Sequence, residues 1–300
     1  MKRIICSTLL LVILLTTTYI HCAIQLSGGS TASENEIPGV VSIQYQTDSN
    51  SVPSHFCGGS IINSRWFLTA AHCVKGIDLS KLIIFAGTSN NNCYKDTTGR
   101  CIVRTVSQVV AHPNFSVYTI ENDIALVQVS QDFPITTQAT KVKRFALEGN
   151  TVANQSPLTV AGWGATSSTT SNTNTLQKAQ LTLQSASTCT QKQLSISAPT
   201  QMCVSGPNSQ NIDLCSGDGG SPVFYTPSGA TTPVLVGIIS HGSSTCGNGA
   251  NVGVSMNVTS YTSWIKGYTT DIEMNGGGGS VVTPPTPAPS NTNNVDSCTC

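Results

Sequence analysis

Between Ile24 and about Thr270 the chain is a succession of short apolar or alternating runs, and this pattern most constrains its fold. The runs read "VVSIQY", "LIIFAG", "TVSQVVAH", "DIALVQV", "LTVAGWG", "AQLTLQ", "VLVGIIS" and "GVSMNV". Each has the length and period of a β-strand, and Gly, Asn and Ser break the chain between them. Such spacing points to an all-β sandwich or barrel pair and leaves no room for α/β units. One helix is predicted, over "VTSYTSWIKGY". Thr259 or Ser260 would cap it, and Tyr261, Trp264, Ile265 and Tyr268 would share a face. No internal repeat is evident.

The two ends read differently. In "MKRIICSTLLLVILLTTTYIHCA" two basic residues precede an apolar run that is too short to span a bilayer. Residues 1–23 therefore read as a secretory signal peptide, with cleavage near Cys22 or Ala23. After Met274 the composition turns to Gly, Pro, Ser and Thr, which bury too little surface to order themselves. Residues 271–300 are accordingly expected to be a flexible tail ending in Cys298-Thr299-Cys300.

Ten of the twelve cysteines remain after the leader, and in a secreted chain they imply disulfides. Cys93 and Cys101 flank a short loop and are expected to pair. Sequons stand at Asn114, Asn154 (with Pro157 just beyond) and Asn257, the last open only if it is not on a packed strand. Charged residues make up 9% of the chain and the formal net charge is zero. That balance gives no electrostatic reason to expect nucleic acid or anionic lipid as a partner.

Three segments carry chemistry. "CGGSIINSRWFLTAAHC" (Cys57 to Cys73) presents His72, "NDIALVQV" presents Asp123, and "DLCSGDGGSP" runs from Asp213 to Pro222. Together they resemble the trypsin and chymotrypsin family of serine proteases, over about 245 residues. "LSGGSTASENEIP", "AGWG" and the segment from Cys246 to Val254 extend the likeness. The resemblance implies two six-stranded antiparallel Greek-key β-barrels, a domain over 24–270 and a barrel boundary near 136–155. It implies His72 as general base, Asp123 as the carboxylate that orients it, and Ser240 as a support for Asp123. It further implies an oxyanion hole from Gly217 and Gly219, and disulfides Cys57–Cys73, Cys189–Cys203 and Cys215–Cys246. Asp213, with Ser240, Gly242 and Gly253, would form a pocket that selects Arg or Lys side chains.

The departures matter more. The family's loop is G-D-S-G-G-P; here it reads G-D-G-G-S-P, so Gly219 stands where the attacking serine belongs. Ser221 lies two residues further on, up to about 7 Å of chain away. Activation needs a hydroxyl within about 3 Å of the histidine nitrogen. Gln25 precedes Leu26, so the Arg or Lys at which such zymogens are commonly cut is missing, and Asp218 would lack the freed amine as partner. His241 replaces the family's usual tryptophan. The loop "GTSNNNCYKDTTGRC" lacks the acidic set of a calcium site, so neither metal nor cofactor is expected. These features point to a secreted, extracellular protease homologue without catalysis, which binds peptides or protease inhibitors through its cleft. An active protease using Ser221, or carrying Gly219 as a sequence error, is the rival. A third reading is a secreted structural or adhesive protein tethered by its cysteine-ended tail. On any of these readings Cys298 and Cys300, beyond a flexible linker, are candidates for a disulfide-linked dimer.

Overall fold

The computed structural model describes residues 28–94, 99, 101–135, 147–149, 151–167, 171–207, 212–242 and 252–275. The leader, Leu26, the barrel link 136–146, Cys246 and the C-terminal cysteines lie outside the described residues.

A short strand β1 (Ser30–Thr31) leads in. Six strands follow: β2 (Val40–Tyr45), β3 (Ser54–Ile61), β4 (Trp66–Thr69), β5 (Leu82–Ala86), β6 (Ile102–Ala111) and β7 (Ala125–Val129). They close a barrel in the order β2-β3-β4-β7-β6-β5. After β8 (Leu147–Glu148) come β9 (Pro157–Gly162), β10 (Gln177–Gln184), β11 (Gln201–Ser205), β12 (Pro222–Tyr225), β13 (Val234–Gly242) and β14 (Val252–Asn257). They run β12-β9-β10-β11-β14-β13, and β13 returns to β12, closing a second barrel. The pairings within each ring are antiparallel. Counted from its own first strand, each ring repeats the other's order. In both, the chain leaves the third strand, passes over two places and starts the fourth beside the first. Closure leaves no barrel strand with an unpaired edge.

Closed barrels need bulky apolar residues inside. Ile43, Phe67, Leu68 and Ile84 are fully buried in the first core. Val160, Leu181, Val204, Val223 and Ile239 form the second. Phe224, Leu235, Ile238 and Met256 turn the other way and join the first barrel's cluster, so the barrels share an apolar seam.

Two details differ from the sequence reading. Residues 271–275, assigned above to the tail, are tied in: β15 (Met274–Asn275) pairs in parallel with β8, and Leu147 N–H donates to Glu273 O at 2.8 Å. The C-terminal helix is also shorter. A 3-10 turn (Val258–Tyr261) precedes the helix Thr262–Lys266, and the cap is Asn257, whose Oδ1 accepts from Thr259 N–H at 3.2 Å. Ser260 does not cap; its hydroxyl donates to Pro199 O. The Asn257 amide also donates to Pro199 O at 3.0 Å, so both ends of this sequon side chain are occupied, whereas Asn114 and Asn154 are exposed. A helix α1 (Ala186–Gln191), unmarked by any apolar periodicity, carries Cys189.

Candidate active site

His72 follows β4 in a tight turn, Ala71–Cys73, and the Cys57–Cys73 disulfide fastens that turn to β3. Asp123 sits before β7 and is fully buried. One carboxylate oxygen accepts from the backbone N–H of His72 at 2.8 Å; the other lies 2.8 Å from His72 Nδ1. The ring is thus held with Nδ1 on Asp123 and Nε2 directed into the cleft. Ser240 donates to the same Asp123 oxygen at 2.6 Å. Its aim comes from a bulge: the register of β13 on β14 slips by one residue between Ile239 and His241. The extra residue, Ser240, is turned off the ladder toward the neighbouring barrel.

The loop from Cys215 to Ser221 is clamped from both sides. Gly58 N–H donates to Gly219 O at 2.8 Å, and Gly220 N–H donates to Ile239 O at 2.8 Å. Gly217 (φ +88°) and Gly220 (φ +78°) occupy left-handed backbone that glycine alone adopts freely. Gly219 does not. A Cβ built on it would lie 2.8 Å from His72 Nε2, so position 219 points straight at the imidazole and offers no side chain. The N–H groups of Gly217 and Gly219 donate to no atom of the described residues.

Ser221 faces away from this histidine. It is fully buried, and its hydroxyl abuts the backbone of Gly58 and Gly162, where an added Cβ would stand 2.2 and 2.7 Å from Oγ. Its Oγ has no hydrogen-bond partner among the described residues. A buried orphan hydroxyl costs about 1–3 kcal/mol. Ser221→Ala should therefore raise the stability measured by chemical denaturation, by about 1 kcal/mol once lost packing is discounted. A marked loss would mean that the hydroxyl has a partner after all.

Asp218 is also fully buried. Its carboxylate accepts from the backbone N–H of Cys215 (2.9 Å) and of Gly164 (3.2 Å), and burial pushes its pKa up to about 7. Beside it, Ser42 hydrogen-bonds His55 Nδ1, and His55 Nε2 donates to Gly217 O at 3.1 Å. Burial lowers this histidine to about 4. No sequence motif marks His55, and only its proximity to the loop gives it meaning.

The cleft between the barrels holds about 640 Å³. His72, Gly217, Gly219, Ser240, His241 and Gly242 line it, with Phe56, Ile77 and Leu214 as apolar walls. Burial lowers the His241 pKa, Asp123 opposing. Asp213 does not line the cleft; it is 4% exposed. Gly253, also expected there, is buried behind Leu214. Cys57, His72 and Cys73 form the one cluster of metal-ligand type among the described residues, but its two sulfurs are bonded to each other. Cys93–Cys101 and Cys189–Cys203 are closed as expected. Cys215 is also disulfide-bonded; its expected partner Cys246 lies outside the described residues.

Paired barrels with a buried Asp–His couple in the cleft define the serine-protease fold of the chymotrypsin type. The chain belongs to the trypsin family: the Trypsin family profile matches residues 26–265. It is 34% identical to "Trypsin Blo t 3" of Blomia tropicalis, over 80% of this chain and 84% of that one. It is similar as well to "Trypsin" of Sus scrofa (32%, 81% and 94%) and to "Serine protease 1" of Canis lupus familiaris (32%, 81% and 89%).

Proposed function

We propose that this trypsin-family chain is a secreted, non-catalytic homologue that binds peptide segments or protease inhibitors through the inherited cleft, as a decoy, cofactor or regulator. The observation that carries the reading is Gly219 facing His72 Nε2 with no side chain between them. On this reading His72 and Asp123 are a base and its orienting carboxylate without a nucleophile to activate. The N–H groups of Gly217 and Gly219 would still receive a carbonyl oxygen, so the cleft keeps a place to hold a peptide bond without the means to cut it. The orientation of Ser221 argues against its standing in as nucleophile, because its hydroxyl packs on Gly58 and Gly162.

Secretion is supported by the leader-like N-terminus and by the disulfides, among them Cys57–Cys73, Cys93–Cys101 and Cys189–Cys203. Among the described residues no helix is long and apolar enough to cross a membrane.

The test is exposure of the purified chain to a serine-directed fluorophosphonate. We expect no covalent adduct and no peptide hydrolysis above that of a His72→Ala control. Stoichiometric adduct at Ser221 would overturn the proposal.

A further inference from the structure

The family resemblance implies a cation-selective pocket based on Asp213, and the packing around Leu214 points elsewhere. Gly242 on β13 and Gly253 on β14 are register partners in adjacent strands. Two facing glycines leave a slot in the sheet, and Leu214 fills it. A Cβ on Gly253 would come within 2.4 Å of Leu214 Cδ1. One on Gly242 would stand 2.9 Å from Leu214 O and 3.3 Å from Leu214 Cβ. Leu214 is 6% exposed, belongs to the second barrel's apolar core and still forms part of the cleft wall. Asp213, its chain neighbour, is 4% exposed and is not among the described residues that line the cleft.

We propose that Leu214 sets the ligand class of the cleft: it occupies the slot between Gly242 and Gly253, screens Asp213, and directs binding to peptides that present a short, neutral, apolar side chain. A guanidinium or ammonium driven against Leu214 would give up its hydration without gaining a carboxylate, so its binding is disfavoured. A short aliphatic side chain meets Leu214, Ile239 and Phe56 with no polar group to strip. The slot is filled, so length is penalised along with charge. The inference rests on the proposal that the cleft binds peptides.

Benzamidine, a planar cation small enough to reach a buried carboxylate, is the probe. Titrated into the full chain and followed by calorimetry, it should bind at least about tenfold more weakly to the native protein than to Leu214→Ser, which opens the slot. Adding Asp213→Asn to Leu214→Ser should abolish the gain. Leu214 belongs to the core, so Leu214→Val serves as a second variant that keeps most of the packing and should show a smaller gain. In parallel, acetyl-Ala-Ala-Pro-Val-amide should outcompete acetyl-Ala-Ala-Pro-Arg-amide on the native chain, and the order should invert on Leu214→Ser. Benzamidine binding to native protein as tight as to Leu214→Ser overturns the proposal. So does failure of both folded variants to gain any. These outcomes are independent of the fluorophosphonate result, which tests the loss of catalysis alone.

Discussion

Gly219→Ser combined with Ser221→Gly should give the chain covalent reactivity toward a fluorophosphonate at position 219 and raise its hydrolysis of a neutral activated ester by about 10²-fold. The site needs little rebuilding. Gly219 has an ordinary backbone φ, and Nδ1 of His72 is already 2.8 Å from Asp123. The ring tip must retreat by a few tenths of an ångström, because a Cβ at 219 would lie 2.8 Å from Nε2. Removing the serine from Gly58 and Gly162 also relieves the buried hydroxyl. In active members of this same family, loss of the triad leaves about 10³–10⁴-fold catalysis over water. The full triad in a serine protease is worth about 10⁶. Most of that range should stay closed to the loop change alone, because Asp218 has only backbone donors as partners among the described residues. Adding Gln25→Arg and cutting before Leu26 supplies an amine, and the rate should climb further. Full activity from the loop change alone would show that the N-terminal difference is irrelevant. No activity in either variant would place the defect elsewhere in the cleft, with His241 first in line.

Stability should carry the mark of Asp218 in its pH dependence. The carboxyl titrates near 3.8 in an unfolded chain and near 7 when buried here. Below about pH 4 both states hold the proton. Between about 4 and 7 only the folded state does, so this group's contribution to stability falls as pH rises through that window and levels off above it. At about 1.4 kcal/mol per unit the change is on the order of 4 kcal/mol. His55 acts in the opposite sense. Its folded value of about 4 against 6.5 withdraws stability as pH falls from 6.5 toward 4, so the two slopes largely cancel in the native protein. The difference between native and Asp218→Asn stabilities isolates the carboxyl. Denaturant midpoints from pH 4 to 8 should show native protein gaining on the variant as pH falls. A difference that does not vary with pH would mean that Asp218 is ionised throughout.

Much of this architecture is legible in the sequence, for reasons that are local. Runs such as "VVSIQY" and "LIIFAG" match β2 and β5 because a barrel interior demands apolar side chains at strand spacing. Strands β11 and β12 leave no such trace: they are five and four residues long, largely buried, and without alternation. The matching order of the two rings is invisible too, because topology is set by which strands pair and not by similar residues. At the site, His72, Asp123 and Gly219 are readable from motifs. Leu214 is not, since the residue that fills the slot depends on how the loop turns between β11 and β12. The aim of Ser240 escapes sequence for a comparable reason: a one-residue slip between two strands decides it.

The parallel pairing of β15 with β8 bears on how force would pass through the molecule. The last described residues are held by the bonds from Leu147 N–H to Glu273 O and from Gly149 N–H to Asn275 O, which lie side by side across the strand direction. Tension applied beyond Asn275 would load both bonds in shear and together, instead of peeling them one after the other. β8 in turn pairs with β13, the strand that carries Ser240 and His241. A tether attached at the C-terminus would therefore transmit strain along a hydrogen-bonded path, from β15 through β8 to β13, that ends beside Asp123.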